Sequence, residues 1–175
     1  MKRNLLIGAM LLIFSISQAQ INVGATIGPQ IPMGSFGDSF NVGFGFNAAG
    51  KYMLQENMAV GLNLGYSRFG TDSDGFSGSM VPITGLFEYH FTSGKFKPYI
   101  GADLGLYRYG VKYEISGSTS KDSEIYFGFA PTGGVLYGLN ENLSLCANLK
   151  LNYVIAEGDG VTWLGLNFGA FFKIK

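Results

Sequence analysis

Residues 40–54 read FNVGFGFNAAGKYML, and most of the large apolar side chains in this stretch fall on even positions. Phe44, Phe46 and Tyr52 alternate with odd positions that are mostly Gly, Asn and Lys. Because successive side chains of a strand point to opposite faces, the stretch predicts a strand with one apolar face and one face that tolerates water. The class of protein therefore depends on the medium that the apolar face meets.

The same period of two recurs along the rest of the chain. Alternating segments cover residues 21–28, 58–67, 81–91, 100–107, 127–139, 143–153 and 163–174, so we predict eight strands in all. Polar turns at 55–57, 92–95 and 140–142 alternate with longer loops, rich in Gly, Ser and Asp, at 31–39, 71–79, 116–124 and 157–160. Short turns at one end and long loops at the other are typical of an up-and-down meander. The sequence therefore predicts an all-β fold, an eight-stranded antiparallel up-and-down barrel.

The N-terminal segment predicts a secretory signal peptide. It carries two positive charges, then an apolar run over residues 5–14, then small residues before an expected cleavage after Ala19. An uncleaved anchor is the alternative, but this run is shorter than the roughly 20 apolar residues that a spanning helix needs. We therefore expect residues 1–19 to be removed and residues 20–175 to form a single barrel domain.

Composition limits the function classes that the chain can belong to. The chain is 47% hydrophobic, which excludes intrinsic disorder, and its formal net charge of zero gives no basic footprint for nucleic acid. Its one cysteine, Cys146, cannot form an intramolecular disulfide. After the leader, no apolar segment has the length of a spanning helix, so a membrane-embedded form requires a closed sheet that satisfies its own backbone hydrogen bonds.

Side-chain size decides which face of the barrel points inward. An eight-stranded barrel has an interior just wide enough for side chains. The apolar face carries large residues such as Phe44, Leu62 and Leu104, which would crowd this space. The opposite face carries Gly61, Asn63 and similar residues, which fit it. We therefore expect a transmembrane barrel with its apolar face in hydrocarbon, whereas the alternative, a secreted lipocalin-like barrel, requires the reverse.

Aromatic residues on the predicted outward face lie near the strand ends. This placement predicts two girdles at the interfaces of a bilayer, where aromatic rings are enriched. The predicted girdle residues are Phe40, Tyr52, Tyr66, Tyr89, Phe91, Phe127, Tyr137, Tyr153 and Phe172.

Charged residues on the inward face predict a lumenal polar network. Because an isolated buried charge is expensive, we expect Lys51 to pair with Glu88. The same argument pairs Asp103 with Lys150. His90, the only histidine, lies beside Glu88 on the same face. Since large aromatic residues share this face, the lumen is expected to be largely plugged.

The inward Glu-x-His pair raises the question of catalysis. Such a pair could hold a metal or polarise a hydroxyl, but polar pairs are the ordinary lining of small barrels. The sequence contains no His-x-Ser pair and no other hydrolase constellation. We therefore predict no enzyme activity and no catalytic, metal-binding or cofactor-binding residues, and a lipid-modifying barrel enzyme is a less favoured alternative.

Three parts of the chain carry a family resemblance. They are PMGSFGD at residues 32–38, PYIGADLGLY at residues 98–107, and the last strand. Together with the architecture, they resemble the OmpA/OmpX-like family of small outer membrane β-barrels of Gram-negative bacteria. In the last strand, the resemblance extends to the signal that the β-barrel assembly machinery reads, at Asn167, Gly169, Phe172 and Ile174.

The resemblance implies an outer membrane location, with termini in the periplasm and four loops outside. It implies outer membrane lipid and lipopolysaccharide as neighbours and the assembly machinery as a partner during biogenesis. The predicted role is structural or surface-interacting, with an unknown extracellular partner. The first alternative is a narrow, gated, porin-like channel for ions or very small solutes.

Overall fold

The computed structural model describes residues 20–71, 76–91, 94–115, 118–156 and 160–174. Its strands are β1 (Ile21–Met33), β2 (Gly43–Gln55), β3 (Met58–Gly70), β4 (Phe76–His90), β5 (Phe96–Ile115), β6 (Ser118–Gly138), β7 (Leu143–Ile155) and β8 (Val161–Lys173). One short helix, α1 (Ser35–Ser39), lies between β1 and β2. No helix within these residues is long and apolar enough to cross a membrane. The predicted signal peptide, residues 1–19, lies outside the described residues, as do parts of one predicted turn, 92–93, and of three predicted loops, 72–75, 116–117 and 157–159.

The strands form a closed barrel. Each strand pairs antiparallel with its neighbours in the chain, and β8 pairs antiparallel with β1. At this closure, Ala25 lies opposite Ala170. The predicted eight-stranded antiparallel up-and-down barrel is therefore confirmed. Closure removes the unpaired edges that an open sheet would leave in the barrel wall.

The two ends of the barrel differ. At the turn end, residues 56–57 connect β2 to β3 and residues 139–142 connect β6 to β7. Strand β1 begins and β8 ends at this same end, where Asn22 lies opposite Lys173. The loop end carries the β1–β2, β3–β4, β5–β6 and β7–β8 connections. The short predicted turns are thus gathered at one end, as the meander requires.

Some strand boundaries differ from the predicted ones. Strand β2 begins at Gly43 rather than at residue 40, and the predicted first loop contains α1 and the end of β1. Most of the predicted loop 116–124 is strand, because β6 begins at Ser118 and this residue pairs with Ile115. The composition of this segment is typical of a loop, but strand formation is decided by cross-strand pairing more than by intrinsic preference.

Side-chain exposure follows the predicted sidedness of the strands. Leu62 on the outer surface is 72% exposed, whereas its neighbour Asn63 faces the interior and is 4% exposed. The interior is so narrow that some inward positions require glycine. A Cβ atom at Gly169 would lie 2.7 Å from the Cα atom of Thr26 on the adjacent strand, closer than real Cβ atoms approach. Large apolar side chains therefore cover the outside, whereas the inward face carries glycine and polar residues together with a set of buried aromatic rings.

Candidate functional site

An aromatic cluster occupies the interior at the loop end. We name it the aromatic cap, and its members are Phe36, Phe40, Phe69, Met80, Tyr107, Val154 and Trp163. The ring centroids of Phe36 and Phe69 lie 5.0 Å apart, and those of Phe69 and Trp163 lie 5.9 Å apart. Both pairs meet edge to face, which is a favourable geometry for aromatic rings. The buried rings therefore pack against one another across the lumen.

Helix α1 supplies Phe36 to the aromatic cap. Gly34, immediately before the helix, has a φ of 61°, in the left-handed region that favours glycine. The backbone amides of Gly37 and Asp38 donate to the Gly34 carbonyl at 2.8 and 3.2 Å. This turn directs the helix over the barrel mouth, so that the ring of Phe36 lies 4.7 Å from that of Phe40. Sequence reasoning missed Phe36, because a residue in a loop carries no strand periodicity.

Phe40 belongs to the aromatic cap and not to the outer surface. Its side chain is 7% exposed, and its ring centroid lies 5.8 Å from that of Phe76. The prediction that Phe40 is an outward girdle residue is therefore wrong. The reason is that β2 begins only at Gly43, so the alternation of the strand does not extend back to residue 40.

The other predicted girdle residues lie on the outer surface. Tyr52 is half-buried, and the exposed ones are Tyr66, Tyr89, Phe91, Phe127, Tyr137, Tyr153 and Phe172. At the turn end, Tyr89 and Phe91 make an edge contact with ring centroids 5.6 Å apart. Their contact with a bilayer interface stays a prediction.

A chain of hydrogen bonds connects the aromatic cap to the middle of the barrel. Trp163 Nε1 donates to Gln30 Oε1 at 3.1 Å, and Gln30 Nε2 donates to Asn167 Oδ1 at 3.1 Å. Asn167 Nδ2 in turn donates to Asn148 Oδ1 at 3.0 Å. Sequence reasoning missed Gln30, although this residue is the next inward-facing position of β1 after the end of the predicted strand.

Two charge pairs lie in the lumen. Lys150 Nζ lies 2.7 Å from Asp103 Oδ2, which also accepts a hydrogen bond from Thr84 Oγ1 at 3.1 Å. Lys51 Nζ lies 2.7 Å from Glu88 Oε1. Both carboxylates are buried. The structure thus brings together the partners that were predicted from their inward-facing strand positions.

His90 extends the second pair toward the turn end. Its Nε2 atom lies 3.2 Å from Glu88 Oε2, and its ring centroid lies 5.6 Å from that of Tyr99. Lys51 Nζ also lies 3.8 Å from the centre of the Phe171 ring, within the range of a cation–π contact. Lys51, Glu88 and His90 therefore form one cluster with aromatic walls.

The interior contacts described above are ring packing, hydrogen bonds and charge pairs. Within the described part of the chain, no group of three or more His, Cys, Asp or Glu side chains is placed to hold a metal ion. Cys146 is buried, with its Sγ atom 3.6 Å from Tyr99 Oη. His90 contacts a carboxylate that Lys51 already neutralises.

Free space inside the barrel is distributed unevenly. A cavity of about 20 Å³, lined in part by Thr26, Asn63 and Asp103, lies in the middle. This volume holds about one water molecule. A vestibule of about 1020 Å³ opens at the turn end, and Lys51 and His90 contribute to its wall. The lumen therefore narrows from the vestibule through the charge pairs to the aromatic cap.

The predicted assembly-signal residues of β8 divide between the two faces of the strand. Phe172 and Ile174 are exposed outside, whereas Asn167 is buried inside and Gly169 lies against β1. The amide of Ile174 donates to the Ile21 carbonyl at 2.8 Å, so the closing contact continues past the last residue of β8. Recognition of these residues by an assembly machinery stays a prediction.

Strands β5 and β6 form a hairpin that extends past β7, whereas β4 accompanies β5 as far as the pair of Phe76 and Tyr113. Their ladder continues to the pair of Ile115 and Ser118. Among the described residues, the ladder between β6 and β7 ends where Phe127 lies opposite Ile155. Residues 118–125 of β6, which we name the β6 overhang, therefore pair with β5 along one edge and with no described residue of β7 along the other.

Three solved structures illustrate the fold. Neisserial surface protein A (NspA) is 22% identical, with a TM-score of 0.66 over 90% of this chain and 98% of that one. A major outer membrane protein of Thermus thermophilus is 17% identical, with a TM-score of 0.64 over 90% and 100%. Ail, the attachment invasion locus protein of Yersinia pestis, in complex with the heparin analogue sucrose octasulfate, is 15% identical, with a TM-score of 0.59 over 89% and 97%.

A family model identifies the family to which the chain belongs. The model of the outer membrane protein beta-barrel domain matches residues 6–172. No curated protein matches the chain. The family supports an outer membrane location, which also explains why the large apolar side chains cover the outside of the barrel. The chain therefore belongs to the outer membrane protein beta-barrel domain family.

Proposed function

We propose that this barrel is a surface-interaction protein that acts through its loop end. The observation that carries the proposal is the β5–β6 hairpin with its β6 overhang, residues 118–125. A strand edge presents backbone N–H and C=O groups that can pair with an extended segment of a partner. Asp122, Ser123 and Ile125 are exposed on this edge, so it offers side chains of several kinds as well.

The proposal includes an orientation in the outer membrane. Removal of residues 1–19 after export leaves both termini at the turn end, in the periplasm, and short periplasmic turns with longer outer loops are typical of bacterial barrels. Outer membrane lipid and lipopolysaccharide then surround the wall, and the β-barrel assembly machinery inserts it. The complex of Ail with sucrose octasulfate supports an extracellular ligand for a barrel of this fold.

Shortening the hairpin tests the surface-interaction role. Replacing residues 110–123 with an Asn-Gly turn joins Tyr109 to Glu124, which lie opposite each other in the register, and removes most of the β6 overhang. Cells that carry the full chain are expected to adhere to protein-coated or heparin-coated surfaces, and cells with the shortened hairpin are expected to lose this adhesion. The β4–β5 ladder from Met80 to His90 is retained, so the variant is expected to fold. Equal adhesion of the two strains would contradict the role of the hairpin.

The proposal also includes a lumen that is closed and without catalytic activity. The aromatic cap, the charge pairs and a central cavity of about 20 Å³ support a closed lumen. The interior contacts described above serve packing and neutralisation, which supports a non-enzymatic role. A narrow gated channel is the second candidate, and the vestibule of about 1020 Å³ is the observation in its favour.

Conductance in planar bilayers separates these two candidates. The purified barrel is expected to give no sustained current, because packed rings span the lumen at the loop end. Replacing Phe36 and Phe69 together by Ala removes two rings from the aromatic cap but leaves the charge pairs and the small central cavity in the middle of the lumen, so this variant is also expected to give no sustained current. Sustained current steps from the unmodified protein would favour the channel.

A further inference from the structure

The vestibule at the turn end carries an excess of positive charge. Among the residues that the structure describes, those of its wall that carry or can carry a charge are Lys51, Glu56, His90, Lys95, Lys97, Glu141 and Lys173. Deeper in the lumen, Lys51 is neutralised by Glu88, and Lys150 is neutralised by Asp103. The charges in the middle of the barrel are therefore balanced, whereas those of the vestibule are not.

Two of the lysines face into the vestibule from the barrel wall. Lys97 shares the inward face of β5 with the buried Tyr99, and Lys173 shares the inward face of β8 with the buried Phe171. Both lysines are half-buried, and neither forms an ion pair with another described residue. We name Lys97 and Lys173 the vestibule lysines. A concave site lined by charge of one sign raises the local concentration of ions of the opposite sign.

The carboxylates of the vestibule lie at its rim. Glu56 belongs to the β2–β3 turn and Glu141 to the β6–β7 turn, and both are exposed. Neither forms an ion pair with any residue in the described part of the chain. Exposed charges are screened by water and salt more than half-buried ones. The inner wall of the vestibule is therefore cationic, although its rim carries acidic residues.

An apolar floor lies between the vestibule lysines. Leu136 on β6 lies directly opposite Lys97, and Phe171 precedes Lys173 by one inward position of β8. Ser144 on β7 lies opposite Phe171 and adds a hydroxyl group to the same wall. Strands β5 and β8 are three strands apart, or about 14 Å along the wall, and lysine side chains are long enough to shorten the gap between their ammonium groups. The vestibule thus offers two positive ends with an apolar surface between them.

We propose that the vestibule binds a small organic dianion, with one carboxylate at Lys97, the other at Lys173, and an apolar spacer over Leu136 and Phe171. Hydrogen bonds from ammonium to carboxylate groups are charge-assisted, and a pocket with few polar groups on an apolar wall is typical of small-molecule sites. In the proposed orientation, the vestibule opens to the periplasm, so the ligand is a periplasmic solute. The site lies at the opposite end of the barrel from the surface-interaction hairpin and adds a second role to it.

The test compares two variants that each lose two positive charges. Lys97→Gln with Lys173→Gln removes both ends of the site, and Arg68→Gln with Arg108→Gln removes two exposed cations near the loop end. Each protein is refolded in phosphocholine micelles and titrated with adipate, and binding is followed by the backbone amide resonances around the vestibule. We expect the lysine variant to bind about 25-fold more weakly, or about fivefold for each lysine, and the arginine variant to bind unchanged.

Three further arms make the result specific. The monomethyl ester of adipate has nearly the same length but one charge, and it is expected to bind the unmodified protein about fivefold more weakly than adipate. Sulfate is expected to bind no more tightly than the ester, because its charges cannot reach both lysines. Lys97→Arg with Lys173→Arg is expected to keep most of the affinity, because it keeps the charge. Heat-modifiable migration in gels verifies that every variant is folded.

Equal binding of adipate by the unmodified protein and the lysine variant would overturn the site, as would an equal loss in the arginine variant. Sulfate binding as tight as that of adipate would also overturn it, because it would show general attraction of anions without a two-ended site. The lysine variant keeps the β5–β6 hairpin, and its cells are expected to adhere to protein-coated surfaces like the parent. Loss of adipate binding is thereby separated from failure of the proposed surface-interaction role.

Discussion

Leu62→Lys is expected to reduce the free energy of folding into lipid by about 2 to 4 kcal/mol. Leu62 lies in the middle of β3 on the outer surface and is 72% exposed, so in a bilayer the new charge meets hydrocarbon. The same substitution on a surface in contact with water would be nearly neutral. The size of the loss therefore reports the medium around the barrel. Denaturant titration of folding into phosphatidylcholine vesicles measures it.

A control separates depth from the substitution itself. Leu54→Lys introduces the same charge on the outer surface at the turn end of β2, where the cost is expected to fall to about 0 to 1 kcal/mol. Equal losses at positions 62 and 54 would contradict a hydrocarbon medium around the middle of the barrel.

Glu88→Gln is expected to destabilise the barrel by about 3 to 5 kcal/mol. The carboxylate of Glu88 is buried and lies 2.7 Å from Lys51 Nζ, so the substitution leaves a buried ammonium group without its counter-charge. An exposed carboxylate of the same chain provides the comparison. Glu56→Gln, in the β2–β3 turn, is expected to change the unfolding free energy by less than about 0.5 kcal/mol.

A double-mutant cycle shows whether the loss belongs to the ion pair. Lys51→Met combined with Glu88→Gln removes both charges, and it is expected to recover most of the stability that Glu88→Gln loses, because no unpaired charge remains. The measurement is again the denaturant titration in vesicles. If the two single losses simply add, the 2.7 Å contact between Lys51 and Glu88 does not couple them.

The barrel could be predicted because its determinants are local. The period of two is visible within each strand, and the contrast between Leu62 and Asn63 recurs along the chain, so side-chain size alone assigns the two faces. The charge pairs could be predicted for a related reason. Parity places Lys51, Glu88 and Asp103 in one narrow lumen. Because an isolated buried charge is costly, opposite charges in this lumen are expected to pair.

Other contacts depend on information that no local pattern carries. Gln30 meets Trp163 and Asn167 across the closure of β1 against β8, from opposite ends of the chain. Only the register of that closure brings them together. Phe36 reaches the lumen because of a turn at Gly34, and the β5–β6 hairpin extends through cross-strand pairing in a segment whose composition resembles a loop.

The β5–β6 hairpin also has a mechanical consequence. A partner that pulls on the hairpin from outside applies tension parallel to β5, which continues without a break from Ile115 at the tip to Phe96 at the turn end. Hydrogen bonds of an antiparallel ladder run perpendicular to the strands, so this tension loads many of them together in shear. The force is spread over the full depth of the wall, and the barrel itself becomes the anchor that resists detachment.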